Sequence, residues 1–135
     1  MDLTKYRALF LEEGTEHLAE MSRALLELEK DPAARVAIET VFRMVHSMKS
    51  MAASLEYESI SRLAHRLEDR MESVRSAGRI CSVDDLPLLF RGLEVMEAML
   101  AHVAQTGEAP DGDPALLAAL EPSPEADDTE KKALI

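Results

Sequence analysis

The chain has 135 residues, of which 47% are hydrophobic and only 4% aromatic, and its formal net charge is −11 at pH 7. This charge argues against a nucleic-acid-binding protein, which needs a basic face to neutralise phosphates, and against an anionic membrane surface as partner. Since the single cysteine, Cys81, excludes an intrachain disulfide and no apolar stretch suits a signal peptide or a membrane span, we expect a cytoplasmic protein without membrane insertion.

The first half of the chain predicts two long amphipathic helices. Residues 3–29 form the first, with Phe10, Leu18, Met21, Leu25 and Leu28 on one stripe. Asp31-Pro32 then marks a stop and a restart, because Asp can cap a helix and Pro suits its first position. The second helix is therefore predicted over residues 32–55. Its apolar arc comprises Ile38, Val41, Val45, Met48 and Ala52.

Two further helices are predicted after a short break. Gly78 and Gly107 are expected to end them, because glycine readily adopts the left-handed conformation that closes a helix. The sequence SVDD at 82–85 matches a capping box, so either Ser82 or Asp85 is expected to cap the fourth helix. The third stripe comprises Ile60, Leu63, Ala64, Leu67, Met71 and Val74, and the fourth comprises Leu86, Leu89, Phe90, Leu93, Met96, Leu100 and Val103.

The whole pattern predicts an all-α protein, namely an antiparallel four-helix bundle with a short fifth helix on its C-terminal side. Four long helices joined by short connections favour this architecture. Asp113-Pro114 favours a helix start within residues 108–121, and the charged segment 122–135 is expected to be a flexible linker. The bundle itself is assigned to residues 1–107. The linker-like tail leads us to expect the N-terminal piece of a longer protein.

His46, in the predicted second helix, is expected to lie on the side opposite the apolar arc. The basic residues Arg43 and Lys49 stand three positions before it and three positions after it. A helix that only packs into a core does not need a histidine on its exposed side. His46 is therefore a candidate for a chemical role. At 100° per residue, the residues within about 60° of it are Glu39, Phe42, Arg43, Lys49, Ser50 and Ala53.

Glu68, in the third helix, is expected to lie level with His46. In an antiparallel hairpin that turns near Tyr57, His46 precedes the turn by 11 residues and Glu68 follows it by 11. A carboxylate that accepts a hydrogen bond from Nδ1–H would fix the tautomer and leave Nε2 outward as a nucleophile. Lys49 could then stabilise the negative charge of a phosphoryl group in transit. His65 is expected to help hold Glu68 or to be solvated.

The sequences FRMVHSMK (42–49) and LAHRLED (63–69) resemble the histidine-containing phosphotransfer family, specifically the N-terminal domain of CheA-type chemotaxis histidine kinases. The resemblance covers about residues 3–105. It implies a helical bundle with one exposed histidine, which a kinase domain phosphorylates from ATP and which passes the phosphoryl group to an aspartate of a CheY-like response regulator. By position, it assigns the acceptor to His46, the basic residue to Lys49, the ring-binding carboxylate to Glu68 and the second-helix histidine to His65.

The chain departs from the family pattern after this lysine. The family often has two glycines after HSxK and another shortly after, where Ser50, Met51 and Ala53 stand here. The usual aromatic-glycine-aromatic turn is replaced by Leu55-Glu56-Tyr57. These differences leave the acceptor chemistry intact and concern the partner-docking surface, to which we assign Arg43, Ser50, Met51 and Ala53.

Three functions are compatible with the sequence. The glycines, at positions 14, 78, 92, 107 and 112, are scattered and form no phosphate-binding loop, so we expect a phosphocarrier that binds no cofactor and is the substrate of a kinase domain in cis or in trans. The alternatives are a helical docking module that is never phosphorylated and a standalone phosphotransferase in a branched relay. A metal-binding bundle is discounted, because di-iron bundles use repeated Glu-x-x-His rather than a single His-x-x-Glu.

Overall fold

The protein is helical over most of residues 3–121, the part of the chain that the structure, a computed structural model, describes. That part contains five α-helices and no strand, so the predicted all-α class is confirmed. The helices are α1 (Leu3–Lys30), α2 (Arg35–Ser54), α3 (Glu58–Ala77), α4 (Asp85–Thr106) and α5 (Pro114–Leu120).

The first four helices form a closed ring around one core. Each of them packs against the next in the chain, and α1 also packs against α4. Four residues separate α1 from α2 and three separate α2 from α3, and connections this short return the chain in the opposite direction. The predicted antiparallel four-helix bundle is therefore confirmed. The short α5 packs on α3 and α4.

The bundle core is built from the apolar stripes that the sequence predicts. In α1, α2 and α3 every residue of the predicted stripe is buried. In α4 the stripe residues are buried as well, except Leu86 and Phe90, which are half-buried. Unbranched methionine side chains fill irregular gaps between helices. Each long helix contributes one fully buried methionine to this core: Met21, Met48, Met71 and Met96.

The start of α2 differs from the prediction. The sequence predicts Pro32 as the first helical residue, whereas α2 begins at Arg35. The side chain of Asp31 accepts a hydrogen bond from the backbone N–H of Ala33 at 3.0 Å, which forms a local turn instead of a helix cap. The carbonyl of Pro32 accepts a hydrogen bond from the N–H of Ile80 at 2.8 Å and so ties this turn to the segment after α3.

The capping box predicted at the start of α4 forms in part. Asp85 is the first helical residue, and the side chain of Asp84 before it makes no capping hydrogen bond. Oδ2 of Asp85 accepts hydrogen bonds from the backbone N–H groups of Cys81 and Ser82 at 3.1 and 3.0 Å, the second of which is the return bond of a capping box, and Oδ1 accepts one from Arg70 at 2.6 Å. Because burial of a carboxylate is costly unless it is paired, these three bonds explain how Asp85 can be buried.

The short fifth helix is present where the sequence predicts it. Oδ1 of Asp113 accepts a hydrogen bond from the N–H of Leu116 at 3.1 Å, as an N-cap residue does. Leu116 is buried, and an ion pair of 2.6 Å joins Arg66 of α3 to Glu121. These contacts attach α5 to the bundle. The predicted linker, residues 122–135, lies outside the described residues.

Candidate functional site

His46 lies in the second half of α2, on the face turned away from the core. Val45 and Met48 on either side of it are buried, so the periodicity of the helix turns the imidazole outward. The His46 side chain is 56% exposed. A partner molecule therefore has access to the ring without any change in the bundle.

Glu68 of α3 lies next to the His46 ring. Its Oε2 atom contacts Nδ1 of the imidazole in a hydrogen bond, and its Oε1 atom accepts a hydrogen bond from Nζ of Lys49 at 2.7 Å. The chain turns at residues 55–57, where Glu56 adopts a left-handed conformation with φ of 62°. This tight connection places His46 and Glu68 level across the α2–α3 interface.

The surroundings of Glu68 favour its ionised form. Burial by itself raises the pKa of this carboxyl group, since only 13% of the side chain is exposed. The hydrogen bonds from Lys49 and His46, together with the electrostatic attraction between these groups and the carboxylate, act in the opposite direction and prevail. The pKa of Glu68 therefore lies below its ordinary value of 4.5, and the group is a carboxylate at neutral pH.

The carboxylate at Nδ1 determines which nitrogen of His46 is free to react. An ionised carboxylate only accepts hydrogen bonds, so a neutral imidazole keeps its proton on Nδ1 and its lone pair on Nε2. The same carboxylate stabilises the ring when it becomes cationic. The pair can therefore serve as an oriented nucleophile or as a general base.

Lys49 lies one turn after His46 and links α2 to α3 at two points. Its ammonium group donates to Glu68, and its backbone carbonyl accepts a hydrogen bond from Oγ of Ser61 at 3.4 Å. The Lys49 side chain is 28% exposed. Lys49 therefore holds the carboxylate in place while part of its side chain stays accessible from solvent.

His65 does not join this cluster. Its Nε2 atom lies 3.7 Å from Oδ1 of Asp69, one turn further along α3, and the side chain is 59% exposed. A separation of three residues rotates His65 by about 60° from Glu68 around the helix axis, so the two side chains have different neighbours. Of the two expectations for His65, solvent exposure agrees with the structure and support of Glu68 does not.

The chain matches the family model of the Hpt domain over residues 5–106, which is more than half of its length. The chain belongs to the Hpt domain family. The match spans nearly all of α1 to α4, so this Hpt domain coincides with the four-helix bundle and α5 follows it.

CheA proteins are among the relatives of this Hpt domain. It is 32% identical over 108 residues to the chemotaxis protein CheA of Bacillus subtilis, which covers 80% of this chain and 16% of that protein. The CheA phosphotransferase domain from Thermotoga maritima gives a TM-score of 0.71 at 29% identity, over 77% of this chain and 99% of that one. The phosphorylated P1 domain of CheA3 in complex with CheY6 from R. sphaeroides gives 0.79 at 27% identity, over 86% and 92%. The chain spans less than a fifth of the length of the curated relatives it matches.

The residues assigned to partner docking lie on two different surfaces of the Hpt domain. Arg43, Ser50 and Ala53 are exposed on the face of α2 that carries His46. Met51 is half-buried and lines an apolar hollow between α1 and α2. The residues that stand in place of the family's glycines leave α2 helical through its last turn. Their docking role stays a prediction.

A further group of side chains beside His46 was not identified from the sequence. The Phe42 ring is near-parallel to the imidazole, with an angle of 12° between planes and 6.4 Å between centroids. The guanidinium carbon of Arg75 lies 4.6 Å from the Phe42 centroid, and its Nε donates to Glu39 at 2.9 Å. The sequence contains an indication of this contact. Glu39 precedes Tyr57 by 18 residues and Arg75 follows it by 18, just as the imidazole and its carboxylate lie at equal distances before and after Tyr57.

Residues 3–121 contain no group of three or more His, Cys, Asp and Glu side chains arranged to hold a metal ion. Within the same stretch, no helix has both the length and the apolar character needed to cross a membrane.

Proposed function

We propose that this Hpt domain is the phosphocarrier module of a chemotaxis-type two-component pathway. His46 accepts a phosphoryl group from the ATP-dependent catalytic domain of a histidine kinase and passes it to an aspartate of a CheY-like response regulator. The observation that carries the proposal is an exposed imidazole whose Nδ1 is held by an ionised carboxylate. The similarity to CheA proteins and to a P1 domain solved in complex with CheY6 supports the choice of partners.

In the first step, the lone pair of Nε2 of His46 attacks the γ-phosphorus of ATP. An N–P bond forms, the bond from that phosphorus to the bridging oxygen breaks, and ADP leaves with the electron pair. The ring keeps its proton on Nδ1 and becomes cationic, and the Glu68 carboxylate stabilises this charge. Lys49 stabilises the negative oxygens of the phosphoryl group in transit.

In the second step, a carboxylate oxygen of the regulator attacks the phosphorus. The N–P bond breaks, its electrons return to Nε2, and the imidazole becomes neutral in the tautomer that Glu68 holds. ATP is used by the kinase domain, which acts in cis or in trans, and the Hpt domain contributes the acceptor His46 together with Glu68 and Lys49. We place this exchange in the cytoplasm, where reducing conditions leave an exposed thiol such as that of Cys81 unpaired.

Incubation with a CheA-type kinase core and labelled ATP tests the proposal. We expect an acid-labile, base-stable label on the wild-type domain and no label on His46→Gln. His102→Gln, which changes another exposed histidine on α4, is the matched control and should be labelled like the wild type. A label that persists in His46→Gln, or no label with several cognate kinases, would sink the proposal.

A docking module that is never phosphorylated is the second candidate function. An apolar hollow between α1 and α2 favours it, because exposed apolar surface marks interaction sites. Equal binding of a regulator to the wild-type domain and to His46→Gln, without any label, would establish this alternative. The hollow is lined by Leu3, Tyr6, Leu9, Phe10, Glu13, Met51, Ser54 and Leu55.

A further inference from the structure

The hydrogen bond that Nδ1 of His46 donates to Glu68 fixes one atom of the imidazole ring, but it does not fix the plane of the ring. The torsion that rotates an imidazole about its Cβ–Cγ bond has broad, roughly two-fold preferences. More than half of the His46 side chain is exposed, so the packed core does not restrain it. A second contact is needed if Nε2 is to keep one direction.

Phe42, one turn before His46 on α2, supplies such a contact. The two rings are nearly parallel, and their centroid separation of 6.4 Å lies within the range of offset aromatic pairs. Phe42 is half-buried and packs against the bundle core, which restrains its own ring. The imidazole is therefore held at Nδ1 by Glu68 and along its plane by Phe42.

Arg75 holds the Phe42 ring from α3. Its guanidinium carbon lies 4.6 Å from the ring centroid, a distance typical of a cation–π contact. Its Nε atom donates to Oε1 of Glu39 at 2.9 Å, and Glu39 stands one turn before Phe42 on α2. Arg75 follows Glu68 by seven residues, or two helical turns. Both residues therefore lie on the same face of α3, the one turned toward α2.

We propose that Phe42 is a positioning residue for phosphoryl transfer, and that Arg75, anchored by Glu39, keeps the Phe42 ring in place. This inference rests on the proposed function of His46. Phe42 acts through the imidazole, by limiting the directions in which Nε2 points. In-line attack on a phosphorus atom depends on such alignment of the reacting groups.

Comparison of Phe42→Leu with Phe42→Tyr tests the inference. Leucine keeps an apolar side chain but has no ring face, whereas tyrosine keeps the ring. We expect Phe42→Leu to lower the phosphorylation rate constant at saturating domain concentration about fivefold, which corresponds to roughly 1 kcal/mol of barrier, with KM unchanged. Phe42→Tyr should retain the wild-type rate, and Arg75→Gln should show a smaller loss than Phe42→Leu.

Ring mobility in the unphosphorylated domain gives a readout that does not depend on the kinase. NMR order parameters of the carbon–hydrogen bonds of the His46 ring report its motion on the picosecond-to-nanosecond timescale. We expect lower values in Phe42→Leu and wild-type values in Phe42→Tyr. Arg66→Gln removes a different α3 ion pair, the one to Glu121, and as the matched control it should change neither the ring order nor the rate.

The possible outcomes separate the two proposals. An unchanged rate and unchanged ring order in Phe42→Leu would overturn the positioning role. A raised KM with unchanged ring order would also overturn it, because Phe42 would then serve partner docking. If the wild-type domain is not labelled at all, the proposed function fails, and the NMR comparison still decides whether Phe42 restrains the ring.

Discussion

The carboxylate of Glu68 contacts Nδ1 of His46 across 22 residues of sequence and across the interface of two antiparallel helices. The contact holds the ring proton on Nδ1 and leaves the lone pair on Nε2 of a side chain that is more than half exposed. The phosphorylation proposed for His46 therefore depends on one residue from each of two helices. Any change that separates α2 from α3 should affect it.

Replacement of Glu68 by glutamine should slow phosphorylation of His46 about 10- to 100-fold, because a hydrogen bond to a charged group contributes roughly 1.5–3 kcal/mol. Glutamine keeps the size of the side chain and an acceptor oxygen, but it cannot stabilise the cationic ring. The initial rate of label incorporation measures this effect, and circular dichroism checks that the bundle remains folded.

Asp69→Asn is the matched control for Glu68→Gln. Asp69 is the next residue on α3, is exposed and pairs with His65 instead of His46. This variant should be phosphorylated at the wild-type rate. Equal rates in Glu68→Gln and the wild type would remove the orienting role of Glu68.

The low pKa of Glu68 predicts a contribution to stability that depends on pH. Because the pKa in the folded protein lies below its ordinary value of 4.5, the unfolded chain binds more protons as the pH falls. The contribution is therefore complete above about pH 5 and is lost as the pH falls through the folded pKa.

Urea unfolding of the wild type and Glu68→Gln at about pH 7 and about pH 3 measures this dependence. The free energy of unfolding of the wild type minus that of the variant should be smaller at the lower pH. A difference that stays constant between the two conditions would contradict the low pKa of Glu68.

Asp85→Ala should destabilise the domain by about 3 kcal/mol, because it leaves the guanidinium of Arg70 without its carboxylate partner. The Arg70 side chain is only 17% exposed, and Asp85 also accepts two backbone hydrogen bonds. Urea unfolding measures the loss. The double variant Asp85→Ala/Arg70→Met should recover part of it, because the unpaired charge is then gone.

Asp84→Ala is the control for the Asp85 variant. Asp84 is exposed, and its side chain makes no capping hydrogen bond to α4. We expect a change within about 0.5 kcal/mol, as for most surface substitutions. A larger loss in Asp84→Ala than in Asp85→Ala would contradict the importance of the buried pair.

Gly92→Ala should destabilise the domain by about 1 kcal/mol, although alanine favours a helix over glycine by a similar amount. A Cβ atom at Gly92 would lie 2.5 Å from Cδ2 and 3.2 Å from Cγ of Leu67, so α4 could no longer approach α3 as closely. Thermal or urea unfolding measures the effect. At Gly112 the nearest atom would be 3.8 Å away, so Gly112→Ala should have little effect. Stabilisation by Gly92→Ala would contradict the close approach.

Helix order and core could be predicted from the sequence, because the spacing of apolar residues alone determines which side of a helix is buried. The stripe of α3, from Ile60 to Val74, is buried in full as predicted. Helix starts were predicted less well. Asp31 forms a local turn, and Asp85 pairs with Arg70, which is 15 residues away in sequence. A local sequence pattern does not show which side chain another helix places next to a given residue.

The outward direction of His46 and the level position of Glu68 could be predicted from residue spacing, because both follow from helical periodicity and the length of a short turn. The neighbours that contact the imidazole ring are visible only in the folded structure. It pairs His65 with Asp69 and brings Phe42 against the imidazole. The reason is that the rotation of each helix about its axis and the side-chain conformations depend on packing in three dimensions, which residue spacing does not specify.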